Sequence, residues 1–190
     1  MTDSYEALVA ATRDGTADAV ALAFEAGGRP RWPGESWLDS LASGREPLEK
    51  VRRLKTLGLE VPASLLADYA EAQLTVYGSI DHVANTKVIL ELGAELNGRM
   101  DFGWTALMVA VLKGDVAWVK FLVEAGADVK LGAIHSNHQY MEEFAVGAKK
   151  TPLDMALRAK KKQQDQPEWG EIVEVLEAAV PPKAKKKSKK

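Results

Sequence analysis

The residues best suited to chemistry in this chain lie in one polar stretch, where His135 and His138 precede Glu142 and Glu143. Two imidazoles and a carboxylate at this spacing can converge on a divalent metal ion when the backbone between them is flexible. A closed structural zinc site needs four protein ligands, and here the fourth is missing. The alternative is a polar loop that happens to hold two histidines. We therefore expect no bound metal and no cofactor.

Other catalytic signatures are absent from the sequence. It has no cysteine nucleophile, no glycine-rich loop followed by Lys and Ser or Thr that would hold a phosphate, and no nucleophile elbow. The remaining histidine, His82, stands where a helix is expected to begin, which is typical of a hydrogen-bonding residue. These observations argue against an enzyme and leave recognition of another molecule as the expected function.

The elements that would position such residues follow a repeated pattern. Apolar residues at helical spacing run into a glycine at Gly27, Gly58, Gly93 and Gly126, at intervals of roughly 33 residues. A glycine there supplies the left-handed backbone that ends a helix without a steric penalty. A fixed period of this size is typical of stacked repeats. The predicted fold class is therefore all-α, a solenoid of about five helix-turn-helix units.

The clearest unit covers residues 101–130, DFGWTALMVAVLKGDVAWVKFLVEAGADVK. It can be divided into a turn, a helix, a short loop, a second helix and a glycine-capped exit. Its phrase TALMVA at 105–110 returns as TPLDMA at 151–156, with a Thr that can cap the helix. Trp118 falls on the apolar face of the second helix, which predicts a core residue.

These motifs resemble those of ankyrin-repeat proteins. The match is closest over 101–132, good over 85–98 and 150–158, and weak over 1–66, where only the helix endings carry it. The resemblance implies a protein-binding array whose concave face is lined by the turns between units and by the first helix of each pair. Residues 1–62 are either degenerate capping repeats or a separate helical module fused to true repeats.

The predicted organisation is a single array over 1–182 followed by a disordered tail. The units are placed near residues 5–30, 33–61, 64–98, 99–131 and 150–180, with an inserted loop at 131–149. Insertions in repeat proteins lie on one face, often the binding face. The tail at 183–190 holds six lysines and no acid, and two prolines precede it.

The turn that opens the clearest unit, together with the insertion, provides the candidate partner-binding residues. They are Arg99, Asp101, Phe102, Trp104 and Met108 from the turn and first helix, and His135, His138, Tyr140 and Phe144 from the insertion. An exposed aromatic in a turn is a plausible interface anchor. Phe102 can instead pack on the neighbouring turn, and Trp104 can be covered by its neighbours. The insertion can bind a partner or cover an apolar edge of the array.

We therefore expect a monomeric cytoplasmic protein that binds another protein, for instance as an inhibitor or immunity-type factor. The chain has 25 Lys and Arg against 27 Asp and Glu. Because six of the lysines lie in the tail, the array is acidic and favours a partner with a basic surface. The alternative is an adaptor whose Lys-rich tail binds nucleic acid or an anionic membrane through salt-sensitive contacts. Neither a secretory signal nor an apolar run long enough for a membrane span is present.

Overall fold

The computed structural model describes residues 4–30, 35–74, 80–100, 103–134, 149–163 and 165–180. This part of the chain contains ten helices and no strands, so the prediction of an all-α fold is confirmed. The helices are α1 (Ser4–Asp14), α2 (Ala17–Glu25), α3 (Glu35–Ser43), α4 (Pro47–Thr56), α5 (Leu65–Gln73), α6 (His82–Leu92), α7 (Ala106–Leu112), α8 (Val116–Glu124), α9 (Pro152–Lys162) and α10 (Glu168–Ala179).

The helices follow one another as five consecutive pairs, and the second helices of the pairs stack in one series. Helix α2 packs on α4, α4 on α6, α6 on α8 and α8 on α10. The first helices stack less regularly. Helix α1 packs on α3, and α5, α7 and α9 pack in turn, but on its other side α3 packs on α6 rather than on α5. The array is therefore regular on one side and offset on the other, between its second and third pairs. Whether each pair is an independent repeat unit stays a prediction.

The glycines that were expected to end helices adopt the required backbone conformation. Gly27, Gly58, Gly93 and Gly126 have φ values of 97°, 82°, 109° and 96°. A side chain at any of these four positions would meet no atom within 4 Å. The left-handed backbone, rather than lack of space, therefore accounts for glycine at each helix end.

In each of the last three pairs, a side chain caps the start of one helix. Asp81 accepts a hydrogen bond from the Ala84 amide at 2.8 Å, and Asp115 accepts one from the Trp118 amide at 2.9 Å. Thr151 forms a reciprocal capping box at the start of α9. Thr105, which the repeated phrase predicts to be a cap in the same way, makes no side-chain capping hydrogen bond.

A continuous strip of apolar side chains runs through all five pairs. Its fully buried members include Leu8, Trp37, Val51, Leu66, Ile89, Trp118 and Leu176. Trp118 is thus confirmed as a core residue. Because each pair shares this strip with its neighbours, no pair buries its apolar face alone.

One lysine belongs to the core. The Lys50 side chain, in α4, is fully buried and donates a hydrogen bond from Nζ to the carbonyl oxygen of Thr12 at 2.7 Å. Thr12 lies in the last turn of α1, where carbonyl oxygens lack partners within the helix. Burial lowers the pKa of the Lys50 ammonium. This contact joins the second pair to the first across 38 residues of sequence.

Candidate partner-binding surface

The turn before α7 and the start of the insertion form one surface. The guanidinium of Arg99 donates hydrogen bonds to the carbonyl oxygens of both Gly103 and Gly132, the second at 3.0 Å. The side chain of Ile134 lies so close to Gly103 that a Cβ there would collide with it. Gly103 also has a φ of 74°, which favours glycine. Two segments that are some 30 residues apart in sequence are therefore packed against each other.

The insertion leaves the array and returns to it at one point. The amide of Ala133 donates to the carbonyl oxygen of Lys150 at 3.1 Å, and the amide of Lys149 donates to the carbonyl oxygen of Ala133 at 2.7 Å. A Cβ on Gly132 would be 2.8 Å from the Lys149 backbone, so the two chain segments approach as closely as glycine permits. We call Arg99, Gly103, 132–134 and 149–150 the turn–insertion surface.

Ile134 is the main apolar group that this surface presents to solvent. Its side chain is 53% exposed, although Ile is a residue type that is usually buried. Lys149 and Lys150 are exposed beside it. The described part of the surface therefore combines one aliphatic side chain with positive charge.

Three of the predicted contact residues lie within the described part of the chain, and only one of them is at the surface. Arg99 is exposed and holds the turn–insertion surface together. Trp104 and Met108 are 3% and 0% exposed, so neither is available to a partner. Every residue of α7 is apolar and buried, and α5, α8 and α9 pack around it. A helix without a polar face belongs in the core, and the predicted contact role for these two residues is corrected accordingly.

The other predicted contact residues lie outside the described residues: Asp101, Phe102, His135, His138, Tyr140 and Phe144. Glu142 and Glu143, which complete the alternative metal site, also lie there, as does the tail at 183–190. Within the residues that the structure does describe, no three His, Cys, Asp or Glu side chains are grouped as metal ligands.

Several charged side chains on the second helices contact the next second helix in the stack. Arg52 of α4 and Glu91 of α6 form an ion pair, with 3.3 Å between Nε and Oε1. Lys55 of α4 donates a hydrogen bond to the Glu91 carbonyl oxygen at 2.8 Å. Lys120 of α8 pairs with Glu171 of α10. These charges link successive pairs of the array.

A buried polar network that the sequence does not reveal joins the third and fourth pairs. The Tyr69 hydroxyl lies 3.1 Å from Nδ1 of His82 and accepts a hydrogen bond from Asn85 Nδ2 at 3.0 Å. The His82 ring stacks on Trp118 with 4.4 Å between ring centroids. The Trp118 indole donates to the Thr86 hydroxyl at 2.8 Å. His82 is thus a hydrogen-bonding residue at a helix start, as predicted.

The protonation of this network follows from its burial. Burial lowers the pKa of His82 and raises the pKa of Tyr69, so both side chains are neutral at neutral pH. A neutral imidazole between a phenol and an indole is a packing arrangement that also satisfies polar atoms. Asn85 extends the network towards the surface, because it donates a hydrogen bond to the half-buried Asp39.

The family model for the ankyrin repeat matches residues 102–132. These residues form an ankyrin repeat. It contains the end of the turn, α7, α8 and the exit that leads into the turn–insertion surface. Ankyrin repeats are in general modules that bind other proteins, and they are typically non-catalytic.

A relative in cattle (Bos taurus), the mitochondrial disaggregase, is 39% identical to this chain over 62 residues. The match covers 33% of this chain and 9% of the disaggregase. The chain therefore spans a small fraction of that relative's length, and the similarity concerns a segment rather than the whole protein. Of the helices that the structure describes, none is both long enough and apolar enough to cross a bilayer.

Proposed function

We propose that this chain binds a partner protein at the turn–insertion surface. The observation that carries the proposal is the packing of the insertion base against the turn that opens the ankyrin repeat. Protein binding is the general property of such repeats, and insertions in repeat arrays often lie on the binding face.

The proposed contacts follow from the chemistry of the described residues. Ile134 would enter an apolar depression of the partner, since burial of a half-exposed aliphatic side chain is favourable. Lys149 and Lys150 would lie opposite acidic groups and would mainly accelerate association. The basic partner surface expected from the acidity of the array is therefore not proposed for this site.

The proposal is tested by capture of the partner from the organism that makes the chain, followed by mass spectrometry. Two variants alter the surface: Ile134→Asp, and replacement of residues 135–148 by a short Gly-Ser linker. Leu22→Asp is the matched control, because Leu22 is an aliphatic residue of α2 with 67% exposure. We expect the unmodified chain and Leu22→Asp to retain the same partner, with binding to Ile134→Asp at least about tenfold weaker. A partner that binds both surface variants normally would overturn the proposal.

The identity of the captured partner distinguishes an inhibitor or immunity-type role from the alternative adaptor role. An inhibitor or immunity-type role requires a captured enzyme whose activity falls when an equimolar amount of the chain is added. The alternative adaptor role predicts instead that deletion of 183–190 abolishes binding and its salt dependence. That deletion leaves the turn–insertion surface intact, so the two functions give opposite results.

A further inference from the structure

A groove lies between α3 and α6, where the stack of first helices is offset. It consists of two adjoining cavities of about 320 Å³ and 190 Å³, and both are lined by Ala42, Asp81 and Ala84. A regular stack would bring α5 against α3, but α6 takes that place here. The groove is thus a product of the irregular step between the second and third pairs.

The larger cavity contains two carboxylates. Its lining includes Asp39, Ser43, Asp81 and Asn85. Asn85 is 4% exposed and donates from Nδ2 to Asp39 Oδ1 at 2.6 Å and to the Tyr69 hydroxyl at 3.0 Å. The buried amide, which the core network holds in place, therefore fixes the Asp39 carboxylate in one orientation. Asp81 is fixed by its capping bond to α6.

Neither carboxylate has a cationic partner among the residues that the structure describes. Asp39 accepts one side-chain hydrogen bond, from Asn85, and Asp81 accepts one, from the Ala84 amide. Each carboxylate has two oxygens and room for further donors. Two negative charges in one recess, partly shielded from water, focus a negative potential there. A cation that enters the recess is attracted more strongly than one on an open surface.

The smaller cavity is largely apolar. Pro47, Leu48, Val83 and Val88 contribute to its lining, and Leu48 is partly exposed to solvent. Lys87 also lines it, with its ammonium 5.6 Å from the centroid of the Phe121 ring. The groove therefore passes from an end with two carboxylates to a largely apolar end that also contains Lys87.

We propose that this groove binds an extended segment of a partner protein in which an Arg or Lys is followed closely by an aliphatic residue. The cationic side chain lies between Asp39 and Asp81, and the aliphatic side chain contacts Leu48 and Val83. Charge complementarity selects this partner, because the recess holds two carboxylates without a cation. The site is separate from the turn–insertion surface and does not rest on the function proposed there.

The test is a selection of octapeptides from a random phage library on the full chain. We expect enrichment of a basic residue next to, or a few residues before, an aliphatic one. The enriched peptide is then synthesised with a fluorescent label, and its dissociation constant is measured by anisotropy. Replacement of its basic residue by Gln should weaken binding about tenfold. Added salt should weaken the binding of the unmodified peptide, because it screens the attraction between the basic residue and the carboxylates.

Two isosteric variants remove the charges while preserving the fold. Asp39→Asn keeps an oxygen for the Asn85 amide, and Asp81→Asn keeps a side chain that caps helices well. Each should weaken peptide binding about tenfold. Asp18→Asn, at an exposed position in α2, is the matched control and should leave binding unchanged. Circular dichroism establishes that all three variants retain their helices.

Three results would overturn the proposal. The first is selection without a basic–aliphatic pattern, and the second is peptide binding that survives both Asp39→Asn and Asp81→Asn. The third is self-association of the chain that disappears with deletion of 183–190 and with Asp39→Asn, which would make a second copy's tail the occupant. Ile134→Asp should not affect peptide binding, so failure here is distinguishable from failure of the turn–insertion surface.

Discussion

The second and fourth helix pairs each contain two packed helices, but the second helix begins differently in the two pairs. In the fourth pair, Gly114 and Asp115 begin α8 through a positive φ and a side-chain cap, and Gly126 follows its end. In the second pair, Glu46 precedes α4 with a φ of 49° and makes no side-chain capping hydrogen bond. There, a long-range contact links the pair to its neighbour, because Lys50 of α4 donates a hydrogen bond to the Thr12 carbonyl oxygen of α1.

This difference explains why one pair is recognisable and the other is not. Short-range signals, such as a cap followed by a glycine exit, recur in sequence wherever the same unit recurs. A contact such as that of Lys50 with a backbone carbonyl leaves no local pattern. The family model accordingly covers α7 and α8 but not α3 and α4. The following predictions test whether the two pairs are nevertheless parts of one cooperative structure.

The largest effects should come from Trp37 in α3 and Trp118 in α8, the two tryptophans that are fully buried among the described residues. Each change to Ala removes a large side chain from the shared apolar strip, and we expect each to lower the free energy of unfolding by about 4 kcal/mol. Urea unfolding followed by far-UV circular dichroism measures this loss. A single transition in both variants indicates one array. A separate early transition for Trp37→Ala alone would instead make α1–α4 an independent module.

The next largest effect on the free energy of unfolding should distinguish two lysines that both link neighbouring pairs. Lys50→Ala leaves a cavity and an unpaired buried carbonyl oxygen, and should cost about 3 kcal/mol. Lys120→Ala removes an ion pair whose lysine side chain is 45% exposed, and should cost at most about 0.5 kcal/mol. The same urea titration compares them. Equal losses for the two variants would show that long-range burial of Lys50 does not hold the second pair in place.

Smaller effects of opposite sign are expected at the helix boundaries. Gly126→Ala places a side chain at a φ of 96° and should lower stability by about 1 kcal/mol. Glu46→Gly relieves a left-handed non-glycine residue and should raise stability by about 0.5 kcal/mol after the greater flexibility of glycine in the unfolded chain is subtracted. Thermal unfolding measures both. A destabilised Glu46→Gly variant would mean that the Glu46 side chain contributes a contact of its own.

Protonation of His82 should have no effect at neutral pH and a destabilising one below it. Burial depresses the pKa of His82 in the folded chain, whereas the unfolded chain titrates near about 6.5. Below that pH the unfolded state binds more protons, so the free energy of unfolding falls as the pH falls. Urea titrations at pH 7.5 and 5.5 should show this loss, and it should shrink in His82→Asn. An identical pH response in that variant would assign the effect to other groups.

Much of the fold follows from short-range patterns in the sequence. The four glycine exits, the core position of Trp118 and the all-α class depend on residues within one or two helical turns, so periodicity is enough to predict them. The offset of α3 onto α6 does not depend on such residues. It is a contact between two helices that are not neighbours in sequence, and helix propensity contains no information about that packing.

The candidate surface was less predictable than the fold. Arg99 lies where the turn prediction places it, but Trp104 and Met108 are in the core because α7 has no polar face. That signal is present in the sequence as an unbroken apolar run from Ala106 to Leu112. The groove between α3 and α6 depends on pairs such as Asp39 and Asn85, which are 46 residues apart and leave no spacing rule.

The hydrogen-bonded base of the insertion makes the folding of the neighbouring helices independent of the sequence of the insertion. Because Ala133 and Lys149 are already hydrogen-bonded, the chain between them can change in length or sequence without altering the register of α8 and α9. Closing a longer loop costs only about 0.6 kcal/mol for each doubling of its length. Natural variation, or deliberate grafting, can therefore replace the sequence of this segment while the scaffold continues to fold.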